Sequence, residues 1–133
     1  MRRGLVPAVM LPLALACDSL GPSDCLDGVT FTVSAGTEPT FDWAPSCRMQ
    51  ALVVHLAEAP NHDFVWSVHT PLGSNGLQPP IRYGEVPPHA SSNSPAPALS
   101  EGTAYRLSLY ASINSPVDNG STQVPVDSTV FVP

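Results

Sequence analysis

Four histidines, His55, His62, His69 and His89, are the side chains best suited to hold a metal ion or move a proton near neutral pH. Their positions argue against both roles. If residues 50–57 and 63–69 pair as a hairpin with His55 opposite Val65 and His69 opposite Ala51, four strand residues separate the two imidazoles, about 13 Å. A zinc ion draws its ligands to roughly 2 Å, so the pair cannot share one. No G-x-S-x-G elbow offers a nucleophilic serine. Among the carboxylates, Asp42 points outward from a strand, and Glu58, Asp63, Glu85 and Glu101 mark turns or strand ends. No two of them can be placed together as a glycosidase pair requires. Val117-Asp118-Asn119-Gly120-Ser121 has a superficial likeness to a calcium loop but lacks the closing glutamate. Asn-Gly is a strong hairpin signal, and a turn is expected there. The residues therefore predict no catalytic site, metal site or cofactor.

The elements that carry these side chains are strands. Sixteen prolines, nine glycines and only 12% charged residues exclude a helical bundle, because both punctuating residues are costly within helices. Apolar and polar residues alternate with period two, bounded by Gly, Pro, Asn and Ser, and this predicts strands near 29–34, 39–44, 50–57, 63–69, 104–112 and 127–132. The proline-dense stretch from 70 to 103 offers only Ile81-Arg82-Tyr83 and Ala98-Leu99 for pairing. Proline confines such strands to sheet edges. The class is all-β, a single antiparallel β-sandwich spanning 29–133.

The first sixteen residues have the layout of a cleaved export signal: Met1-Arg2-Arg3, then an uncharged, mostly apolar run from Gly4 to Ala16. Thirteen residues of helix reach about 20 Å, short of a hydrocarbon core of about 30 Å. The run Leu13-Ala14-Leu15-Ala16-Cys17 resembles a bacterial lipobox, with Ala14 and Leu15 in the reverse of the usual order. The resemblance implies that the Cys17 thiol is acylated, that the mature chain starts there, and that residues 17–28 tether it to a membrane of the cell envelope. The alternative is plain cleavage near Ala16, with Cys17 a free thiol. Three cysteines is an odd number for an exported chain, and lipid on Cys17 leaves Cys25 and Cys47 as a pair in an oxidising compartment. Pairing the first two strands with Val29 opposite Ala44 brings Cys25 beside Cys47, and a disulfide is expected between them. After residue 16 three arginines stand against eleven acidic residues and there is no lysine, a net charge near −8 that repels nucleic acid.

Leu99-Ser-Glu-Gly102-Thr-Ala-Tyr105-Arg-Leu107-Ser-Leu109-Tyr-Ala111 resembles the turn and strand of fibronectin type III domains that carry a corner tyrosine. Phe41-Asp-Trp43-Ala-Pro45, followed by Leu52, Val54 and Leu56, is similar to that family's strands around a buried tryptophan. The resemblance implies a two-sheet sandwich of about seven strands, cored on Trp43. By alternation alone, Tyr105, Leu107, Leu109 and Ala111 face the core. A fold of this kind specifies no activity.

What remains is binding. Alternation gathers Val53, His55, Val65, Ser67, His69, Arg106 and Tyr110 on one outward face, and exposed aromatic and arginine side chains favour interfaces. Tyr83 in the long loop is a further candidate contact. The expectation is a non-enzymatic, lipid-anchored envelope protein that meets a protein partner. The alternative is a glycan-binding module with an exposed row of Trp66, Tyr83 and Tyr110, and a small hydrolase or metal protein comes third.

Overall fold

A computed structural model of the chain describes residues 21–58, 64–114 and 120–133. The expected signal segment, Cys17, His62, Asp63 and the turn residues Val117 to Asn119 lie outside these residues. A short 3-10 turn, Pro22–Cys25, precedes eight strands: β1 (Thr30–Val33), β2 (Thr40–Ala44), β3 (Ala51–Leu56), β4 (Phe64–His69), β5 (Ile81–Arg82), β6 (Ser91–Ser92), β7 (Tyr105–Asn114) and β8 (Ser121–Phe131). They form two antiparallel sheets, one ordered β1-β2-β5 and the other β6-β4-β3-β7-β8.

Alternation assembles the core between the sheets. Phe41 and Trp43 of β2 turn inward while Asp42 and Ala44 stay exposed. They meet Leu52, Val54, Trp66, Val68, Leu107 and Leu109 from the larger sheet. Phe41 and Phe131 touch edge to face across the gap, with ring centroids 5.3 Å apart. Tyr105 is buried, and its hydroxyl accepts the Ser100 N–H at 2.9 Å, which pins the turn preceding β7.

The register of the first hairpin differs by one residue from the expected one: Thr30, not Val29, stands opposite Ala44. The shift sets Phe31 against Trp43 and Val33 against Phe41. The apolar residues of both strands then share one face, and in a half-buried sheet that pattern decides register. Cys25 and Cys47 are joined in a disulfide. Cys25 is fully buried, so the end of the expected tether is packed into the body of the protein.

The proline-dense stretch contributes two edge strands, each two residues long. Ile81–Arg82 forms an edge strand as expected, with β2 as its partner, whereas Ser91–Ser92 pairs with β4 without any apolar alternation to announce it. Ala98 and Leu99 form no strand, and Leu99 is buried in the core instead. β7 and β8 extend beyond their expected limits, to Asn114 and from Ser121.

The two ends of the molecule differ. At one end lie the Pro22–Cys25 turn, the Cys47 loop and the 70–77 loop, held by the disulfide and by Met49 bridging to Leu77. Asn75 belongs to the same end. Its amide donates to the Ser112 carbonyl at 2.9 Å and accepts the Ser112 N–H at 2.8 Å, satisfying β7 where β3 has stopped. At the other end Leu56, Tyr105 and Phe131 lie side by side, and Gly102 N–H donates to the Pro133 carbonyl.

Candidate functional site

The outward face of the five-stranded sheet collects the side chains with binding chemistry. Strand pairing arranges them in three rows. Nearest the disulfide end, Ser91, His69, Ala51, Tyr110 and Pro125 stand side by side. The middle row is Ser67, Val53, Ser108 and Ser128. The far row is Phe64, His55, Arg106 and Val130. Small side chains in the middle and larger ones around them make the face uneven, with a shallow floor.

One irregularity shapes this face. Val54 pairs with Trp66, but His55 pairs with Phe64, so Val65 is an extra residue on β4 without a partner. Such a bulge inverts the side-chain alternation beyond it. The expected pairing of His55 with Val65 is thereby corrected, and Phe64 is turned to solvent at 66% exposure while Trp66 stays in the core. Simple alternation would have put Phe64 inside with Trp66.

His55 faces outward yet is only 5% exposed, set between Phe64 and Arg106 in its row. Its Nδ1 lies 3.1 Å from the Leu56 carbonyl and its Nε2 lies 3.4 Å from Ser108 Oγ. Arg106 donates from Nη1 to Ser128 Oγ at 3.2 Å and makes no carboxylate pair among the described residues. His69 is opposite Ala51, four strand positions from His55. Among the described residues, no three of the His, Cys, Asp and Glu side chains converge as a metal site would require.

Two expected contact residues lie elsewhere. Tyr83 is only 6% exposed; it packs edge to face on Trp66 with centroids 5.2 Å apart and donates its hydroxyl to the Pro97 carbonyl. Burial, with Tyr105 nearby, pushes its phenol pKa up to about 12. Tyr83 thus closes the core beneath the long loop and offers nothing to a partner. Trp66 is buried as well, so the aromatic row Trp66, Tyr83 and Tyr110 does not exist as a surface. Tyr110 alone of the three is on the outward face.

Between β4, β3 and the start of β8 the face dips into a depression of about 180 Å³. Ala51, Val53 and Ser67 line it together with Phe64, and Asn93 and Gln123 stand at its rim. Asn93 and Gln123 carried no sequence signal, because one follows a two-residue edge strand and the other lies in the unexpected first half of β8. Comparison with known proteins finds no family model, no curated protein and no solved structure that matches this chain.

Proposed function

We propose that the chain is an exported, lipid-anchored protein of the bacterial cell envelope, whose single fibronectin type III-like sandwich acts by contact with another envelope protein and not by catalysis. The observation that carries this reading is the row of His55, Arg106 and Val130, with Tyr110 two rows away on the same outward face of the sheet, which no other described strand covers. An arginine with no carboxylate partner among the described residues, next to exposed apolar groups, favours a protein surface with acidic and apolar parts.

The sandwich assignment rests on strand order and on two side chains. The division β1-β2-β5 against β4-β3-β7-β8 suits a fibronectin type III-like arrangement, with Tyr105 as its corner tyrosine and Trp43 as its core tryptophan. The anchor rests on the export layout and on cysteine pairing. With Cys25 and Cys47 bonded to each other, Cys17 is the one cysteine left for acylation. A tether through Cys17 enters at the disulfide end, so the row of His55 and Arg106 faces away from the membrane.

The test is crosslinking in the native host from a photoreactive residue at position 110. One recurrent envelope protein, captured from the wild-type surface and lost in Arg106→Ala, supports the reading. Folded, membrane-bound protein that captures nothing, or captures equally well without Arg106, overturns it.

A further inference from the structure

Residues 70–77 clasp the end of β7 beyond the point where β3 stops. Gly73 N–H donates to Ser112 Oγ at 2.8 Å, and the Asn75 side chain engages both backbone groups of Ser112, donating to the carbonyl and accepting from the N–H. Position 76 favours glycine, because a Cβ there would come within 2.9 Å of Thr70 Cγ2. Thr70 has no room to give: it is buried, with its hydroxyl donating to the Ser74 carbonyl at 3.0 Å. The Gly76 N–H in turn donates to Thr70 Oγ1 at 3.3 Å. Packing thus calls for asparagine at 75 to hold β7 and for glycine at 76 to approach Thr70, and the two make an Asn-Gly pair.

That pair has a reactivity of its own. When the next residue has no side chain, its backbone nitrogen is free to attack the asparagine side-chain amide carbon. A C–N bond forms as that nitrogen gives up its proton, and the displaced amide group takes a proton and leaves as ammonia. Water then opens the cyclic imide to aspartate or isoaspartate. Water is the one co-reactant. In the native protein both reacting groups are engaged elsewhere, the Gly76 nitrogen with Thr70 and the Asn75 amide with Ser112. Attack requires the side chain to leave Ser112 and turn back on its own backbone.

We propose that Asn75 is a site of spontaneous deamidation, withheld by the native clasp and exposed when the disulfide end opens. The two are physically connected. Leu77 and Met49 exchange backbone hydrogen bonds of 2.9 Å each, and Met49 follows closely on Cys47, which the disulfide ties to Cys25. Loss of the disulfide frees the segment from Cys47 to Met49, and with it the Leu77 anchor that holds Asn75 in place. The product does not restore the clasp. A carboxylate has no N–H for the Ser112 carbonyl and sets a negative charge against it, while isoaspartate lengthens the main chain just before the bridge to Met49. A chain that has opened is thereby marked permanently and closes this end less firmly afterwards.

The test is peptide mass mapping of the protein purified from its native host in detergent. It is incubated at mildly alkaline pH in three states: oxidised, reduced with its free thiols verified, and reduced in urea. Trypsin cuts after Arg48 and Arg82, so fragmentation of the 49–82 peptide reads Asn75 separately from Asn119-Gly120. Conversion at Asn75 should be slower by about tenfold or more in the oxidised folded protein than in urea, and faster in the reduced protein than in the oxidised one. Asn75→Asp, which stands for the product, should show a lower urea midpoint and faster hydrogen exchange at the Ser112 amide. Equal rates in oxidised and urea-unfolded protein overturn the proposal, as does a reduced protein that reacts no faster than the oxidised one. So does an Asn75→Asp protein with the wild-type midpoint and wild-type exchange at Ser112. The rate comparisons use the wild-type chain and stand even where Asn75→Asp does not fold. None of these outcomes depends on a partner at Arg106.

Discussion

Two buried tyrosines have different physical tasks. The Tyr105 hydroxyl accepts a backbone N–H from Ser100, the turn before its own strand. Tyr105→Phe deletes that acceptor, and urea unfolding should show a loss of about 1 kcal/mol, the usual net worth of such a bond. Tyr83 donates to Pro97 and is held protonated by burial up to about pH 12. Its pKa is raised in the folded state, so the unfolded chain gives up this proton first. The stability that Tyr83 contributes is complete below about pH 10 and is lost as pH climbs from there towards 12. Absorbance titration at the phenolate band should show one late-titrating tyrosine that disappears in Tyr83→Phe. The spacing around Tyr105 was legible because a turn and a strand adjoin it in sequence. Tyr83 was misread as a contact because the proline-dense segment around it shows no alternation, and only its packing on Trp66 reveals that it faces inward.

At the scale of elements, strand existence followed from alternation, whereas register and bulges did not. The six long strands lie close to their expected places, and the hairpin of β3 and β4 pairs Ala51 with His69 as expected. Beyond Val54 the extra residue Val65 reverses the faces, and a candidate site depends on that one residue. A period-two pattern carries no mark of such an insertion, since Phe, Val and Trp are all acceptable on either face. The disulfide end depends on covalent and side-chain ties more than on strands. The Cys25–Cys47 bond closes a segment of 22 residues, and its reduction should lower unfolding free energy by about 3 kcal/mol, read as a shift in the urea midpoint between oxidised and reduced protein. Asn75→Ala removes both amide bonds to Ser112 and leaves backbone groups of β7 unpaired. A loss of about 2 kcal/mol is expected, together with faster hydrogen exchange at Ser112.

For the whole molecule, the disulfide and the row of His55 and Arg106 lie towards opposite ends of the larger sheet. If Cys17 bears lipid, Cys17→Ser should move the protein from the membrane fraction to the soluble fraction and abolish labelling by a fatty-acid probe, with the fold unchanged. Persistence in the membrane with undiminished labelling would exclude acylation at that residue. By itself, the sequence determined the all-β class, the positions of the longer strands, the pairing of Cys25 with Cys47 and the acidic balance that disfavours nucleic acid. These are consequences of local pattern and of charge, which need no knowledge of distant contacts. Only the tertiary structure decided that Tyr83 and Trp66 are core, that Ser91–Ser92 completes an edge, and that Phe64 stands outside. Each of those depends on which face a strand turns towards its neighbour, and one unpaired residue is enough to reverse it.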